Sequence, residues 1–86
     1  MKIEKKCWPE YFDLVKNGSK TYDIRVADFD CKEGDILVLK EWDPRTKDYT
    51  GRVLEKKITS VLKTKNATMW KKEDVEKYGF VVMALK

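Results

Sequence analysis

The sequence predicts a small α+β domain: a mixed, mostly antiparallel β-barrel of five or six strands, with one N-terminal helix and a second short helix. Three observations predict it. The 86 residues make a single domain, residues 1–86, able to bury only about 60–65% of its unfolded surface. A core that marginal suits closed β-structure with a helix laid over it. A content of 42% hydrophobic and 12% aromatic residues supplies a packed core and argues against disorder. Finally, the hydrophobic period switches along the chain in the order β-α-β-β-β-(short helix)-β.

Lys2 to Cys7 reads as a first strand, with Ile3 and Lys5 opposite Glu4 and Lys6. Pro9 suits the first turn of a helix, where its missing N–H costs nothing. Tyr11, Phe12, Leu14 and Val15 follow as an apolar stripe at helical spacing, ending at Asn17-Gly18. So short a helix is unstable alone and must pack on the barrel. A strand from Lys20 to Val26 comes next, then a polar, turn-like stretch to Asp35. Ile36 to Trp42 opens with a continuous apolar run that reads as a central strand buried on both faces. Asp43 to Asp48 is a loop in which Pro44 is preset for a turn. Tyr49 to about Leu62 forms a long strand with Leu54, Ile58 and Leu62 on one face. Glu55-Lys56-Lys57 in its middle suggests a bulge or corner. Met69 and Trp70 begin a short helix that runs through Glu73, Val75 and Lys77 to a stop at Gly79, and Phe80 to Leu85 is a final buried strand.

The most informative stretch is Gly-Ser-Lys-Thr-Tyr-Asp-Ile-Arg at residues 18–25. Gly18 closes the helix, because glycine takes the left-handed conformation cheaply. Tyr22, Ile24 and Val26 alternate with Thr21, Asp23 and Arg25, the period of a half-buried strand. Asp23 and Arg25 therefore share a face, and Lys20 sits where the loop can turn its amine back towards them. Lys20, Asp23 and Arg25 suit an anion or nucleobase site on the rim of a small fold. The same spacing also suits a solvated face carrying an Asp–Arg pair.

Composition narrows the chemistry. Histidine is absent, which removes histidine-activated nucleophiles and histidine-rich metal sites. Cys7 and Cys31 share no metal-ligand spacing and read as free thiols, and neither metal nor cofactor is expected. The chain has no apolar run of transmembrane length, and Met1 to Lys6 lacks an apolar signal core, so a cytoplasmic protein is expected. Nineteen basic against 15 acidic residues give a net charge of +4, a modest field compatible with phosphate contact. Among the tryptophans, Trp42 at a strand end and Trp8 at the helix start are best placed to stack on a base.

Gly18-x-Lys20-x-x-Asp23-x-Arg25 resembles the signature of the ASCH domains, small β-barrels of the PUA-like superfamily. Gly34 to Leu39, Glu41-Trp42-Asp43-Pro44, Tyr49-Thr50-Gly51-Arg52 and Cys7 to Phe12 resemble, in order, a family of short ASCH-related proteins of unknown function from bacteria and phages. Tyr78 to Val82 suits its closing strand. The resemblance implies a PUA-like barrel and a cleft beside it, lined by the signature, that holds RNA or a modified nucleoside. Some ASCH proteins are amidohydrolases of acetylcytidine and some are reported to cleave RNA. In the amidohydrolases a lysine, a threonine and a glutamate act. Lys20 matches the lysine, but Asp23 stands where the threonine would be. Glu41 by strand position and Glu73 by order compete for the third role.

The expectation is an RNA- or modified-nucleoside-binding module using Lys20, Asp23, Arg25, Trp42 and Trp8. One alternative is a small amidohydrolase of acetylcytidine or a ribonuclease, with Lys20 and Asp23 as catalytic groups. Another is a protein-interaction module of phage or mobile-element origin.

Overall fold

A computed structural model describes residues 1–66, 73, 76 and 79–86 of the chain. The elements are β1 (Lys2–Cys7), α1 (Pro9–Lys16), β2 (Tyr22–Val26), β3 (Ile36–Asp43), β4 (Asp48–Lys63), a 3₁₀ turn at Thr64–Asn66 and β5 (Phe80–Leu85). The second helix expected from Met69 to Lys77 lies outside the described residues, apart from isolated positions within it.

Pro9 occupies the first turn of α1, and the helix ends where the Asn17 and Gly18 N–H groups donate to the carbonyls of Asp13 and Val15. Gly18 then takes φ +86°, the left-handed conformation that lets the chain reverse into β2. Only half of the apolar stripe is internal. Phe12 and Val15 are buried, while Tyr11 and Leu14 are exposed.

The expected closed barrel is not what forms. The five strands make one open, mixed sheet in the order β1-β3-β4-β5-β2, and the described fold is mostly β with one α-helix. β1 runs parallel to β3, and the other pairings are antiparallel. Edge strands β1 and β2 are not joined by backbone pairing. In their place, Arg25 Nη2 of β2 donates to the Lys6 carbonyl of β1 at 2.9 Å. A side chain bridges the gap that a ladder would have closed.

The core joins Leu37 and Leu39 of β3, Ile58 of β4, and Val81, Met83 and Leu85 of β5 to Phe12 and Val15 of the helix. β3 is buried at Leu37, Val38 and Leu39, close to the two-sided burial its apolar run suggests.

β2 lies the opposite way round from its apolar pattern. Tyr22, Ile24 and Val26 are 51%, 53% and 48% exposed, while Asp23 is 3% exposed. Register explains it: Asp23 pairs with Met83 and Arg25 with Val81, both 0% exposed. Directly paired residues share a face, so the polar residues turn inward with the core of β5. The apolar residues turn outward, with Ile24 beside Val82 and Val26 beside Phe80.

The break expected at Glu55–Lys57 is also displaced. Register slips between Lys40 and Trp42, opposite Gly51, and again between Ile58 and Ser60. The second slip changes the phase of β4, so Val61 packs on the core and Leu62, expected in line with Ile58, is 45% exposed.

Candidate functional site

The gap between the two sheet edges is where the candidate residues gather. Leu85 N–H donates to the Thr21 carbonyl and Ala27 N–H to the Gly79 carbonyl. In an antiparallel pair these groups alternate sides. The backbone of Asp23 and Arg25 therefore faces β5, while the N–H and C=O groups of Tyr22 and Ile24 face the gap. On β1 the Ile36 N–H donates to the Met1 carbonyl, and the same alternation turns Lys6 towards the gap.

A cleft of about 470 Å³ occupies this seam. Lys20, Asp23 and Arg25 all line it, as does Trp8, so four of the five predicted ligand residues converge there. Tyr11, one helical turn beyond Trp8, and Tyr22 also line it. These three rings are each about half exposed. The Lys20 ammonium lies 5.4 Å from the Tyr11 ring centroid and 5.2 Å from that of Tyr22, and Lys20 has no acidic partner among the described residues.

Asp23 and Arg25 are locked together. Arg25 Nε and Nη2 donate to the two Asp23 carboxylate oxygens at 2.6 and 3.3 Å. The fork geometry holds the guanidinium across the seam to Lys6. Arg25 thus supplies a fixed wall whose charge is balanced by Asp23, and Lys20 supplies a cation with no acidic partner among the described residues. Cys7 forms part of the cleft floor; burial pushes its thiol pKa up, against the opposing pull of Arg25 and Lys20.

Trp42 does not join them. It lies on the outer face of β3, with the Lys6 ammonium 4.6 Å from its ring centroid. Glu73 is exposed, and Trp70 lies outside the described residues.

Glu41, the other candidate acid, is buried in a clamp. Thr50 Oγ1 donates to its Oε1 at 2.5 Å, and Arg52 donates from Nε at 2.9 Å and Nη2 at 2.6 Å. Arg52 also donates to Asp13 of α1 at 2.7 Å and lies 4.6 Å over the Phe12 ring. The bulge makes this possible: Gly51, at φ +95°, adds length to β4 so that Thr50 and Arg52 both reach Glu41. Hydrogen bonds from Arg52 and Thr50 hold the Glu41 pKa at about 2 despite burial. The clamp ties helix to sheet, and its acceptors are committed.

Sequence reasoning missed Lys6, Tyr11 and Tyr22 as cleft residues. Tyr11 carries a usable signal, since it follows Trp8 by three positions and so shares its side of the helix start. Tyr22 carries none, because its alternation points to the core.

Among the described residues, no group of three or more Cys, Asp or Glu side chains is placed to hold a metal ion, and no helix is long and apolar enough to cross a membrane. A relative is an uncharacterized 12.9 kDa protein in the GpA 3′ region of Escherichia phage P2. It is 41% identical over 58 residues, covering 67% of this chain and 51% of that protein; the chain thus spans about half the length of the curated relative it matches. Residues 3–84 match the family described as a domain of unknown function, DUF3850, and the chain belongs to that family.

Proposed function

We propose that the protein binds single-stranded RNA or a modified nucleoside in the seam cleft and performs no chemistry on it. The observation that carries this reading is the pair of half-exposed rings, Tyr11 and Tyr22, beside the Lys20 ammonium, with the half-exposed Trp8 lining the same cleft. Rings offer stacking faces to any base, and Lys20 offers a point charge to a phosphate. The free backbone edge at Tyr22 and Ile24 adds donors and acceptors for a base edge. The resemblance of Gly18 to Arg25 to the ASCH signature supports the same ligand class. Catalysis is less well supported. Asp23 stands in place of a hydroxyl nucleophile, and both of its oxygens are engaged by Arg25.

One observation favours a second reading, a protein partner. The outward faces of β2, β4 and β5 expose Ile24, Val26, Leu62 and Phe80, an apolar surface of the kind that marks interaction sites.

NMR titration with cytidine, acetylcytidine and a short RNA separates these readings. Shifts at Trp8, Lys20, Tyr22 and Ile24, weakened in Lys20→Ala and in Arg25→Ala, are expected, with acetylcytidine recovered intact. Rapid deacetylation abolished by Lys20→Ala would make it an enzyme. Absence of any shift with all three ligands would leave the protein partner in front.

A further inference from the structure

Trp42 and Tyr49 form a second aromatic site on the outer face of the sheet, separate from the cleft. They are Cα partners across β3 and β4, and Lys6 and Lys40 are Cα partners across β1 and β3. The Lys6 ammonium lies 4.6 Å from the Trp42 centroid and 5.8 Å from that of Tyr49, and the Lys40 ammonium lies 5.2 Å from Tyr49. Lys40 is neutralised by Glu4 at 3.1 Å. Lys6 has no acidic partner among the described residues and is held only by the rings. A shallow hollow of about 290 Å³ lies beside these rings, lined by Glu4, Lys5, Lys6, Lys40 and Tyr49, with Trp42 outside its lining. Lys6 also lines the seam cleft, where its carbonyl accepts from Arg25. One residue therefore borders both sites, with its backbone at the seam and its ammonium over the outer rings.

We infer that the ligand is a single-stranded oligonucleotide spanning both sites: one base in the cleft, the next on Trp42 and Tyr49, and the linking phosphate at Lys6. This rests on the nucleobase reading of the cleft and extends it from a nucleoside to a chain. A cation beside an aromatic platform is the arrangement that single-strand binders use to track a backbone while stacking its bases. Lys6 moves from the ring faces to the phosphate when the second base arrives, exchanging a cation–π contact for a charge-assisted one.

The test compares a mononucleotide with a tetranucleotide of the same base, in ribo and deoxyribo forms, by NMR shifts and anisotropy. The better tetranucleotide should bind about 5- to 150-fold more tightly, the gain from one stacked base. Tyr49→Ala and Trp42→Leu should shrink that advantage. Tyr49→Ala is the variant that spares the fold, since the ring is 47% exposed. Lys6→Gln should flatten the salt slope by about 0.7, the loss of one single-strand phosphate contact. Mononucleotide shifts at Tyr22 and Ile24 with no tetranucleotide advantage, or an advantage untouched by both ring variants, would overturn the inference and leave the cleft reading standing. No binding of either ligand would overturn both.

Discussion

Glu41→Gln removes one charge from the clamp while keeping its shape, and so distinguishes a structural carboxylate from a catalytic one. The Glu41 side chain is 5% exposed and the Arg52 side chain 41%. Removing one partner of a fully buried pair costs about 3–5 kcal/mol. Here the remaining cation is partly solvated and keeps Asp13, so solvent screening reduces the cost to about 1–2 kcal/mol. For a domain of this size, that lowers Tm by about 5–15 °C at neutral pH. The pH dependence provides the sharper reading. Glu41 has a pKa of about 2 in the folded protein against an ordinary value of 4.5. Its stabilisation is therefore complete above 4.5 and is lost as pH falls towards 2. Thermal melts of both proteins from pH 7 to 2.5 should show a constant gap down to about pH 5 that then narrows. A gap that stays flat to pH 2.5, or no gap at neutral pH, would refute the clamp. A normal melt with lost turnover of acetylcytidine would return Glu41 to catalysis.

Three further outcomes follow from the same geometry. Cys7 should be alkylated slowly at pH 7 and faster as pH rises, because burial raises its thiol pKa. A nucleoside in the cleft should slow it further, and mass spectrometry should show no such protection at Cys31. Gly79→Ala places a Cβ 2.8 Å from Thr64 Oγ1 and 2.9 Å from the Lys65 N at φ +61°, which costs about 1–3 kcal/mol; an unchanged Tm would contradict that packing. Ile24→Thr should change stability by no more than about 0.5 kcal/mol, while Val81→Thr, which buries a hydroxyl in the core, costs about 1–3 kcal/mol. Denaturant titrations that reverse this ranking would show β2 to be facing inward after all.

Every described strand and the helix were legible as elements, while the 3₁₀ turn at Thr64–Asn66 was not. Pro9 and Gly18 bracket α1, and the apolar run from Ile36 marks the central strand. These are local signals, set by propensity and period. Facing and closure were not legible, because they depend on pairing. Nothing in Tyr22 to Val26 reveals that Asp23 and Arg25 will be registered against Met83 and Val81, and the alternation by itself points the apolar side inward. Leu62 was lost to the same kind of effect, a slip between Ile58 and Ser60 that composition does not announce. The Glu41 clamp required knowing that Gly51 opens a bulge bringing Thr50 and Arg52 to one carboxylate.

For the site, charge spacing was a better guide than hydrophobic pattern. Lys20, Asp23 and Arg25 converge because β2 breaks the usual rule and places polar residues inside. That inversion also has consequences for the sheet. Backbone pairing between β1 and β2 would bring the edges to about 4.8 Å and erase the cleft. Arg25, turned inward and fixed by Asp23, reaches the Lys6 carbonyl that pairing would have used. The guanidinium thus satisfies an edge acceptor while the seam beside it remains open to a ligand. The place where local pattern and fold disagree is the place where the fold is incomplete. Such disagreements concentrate at functional sites, which makes this seam, rather than the buried Glu41 clamp, the part of the molecule to probe first.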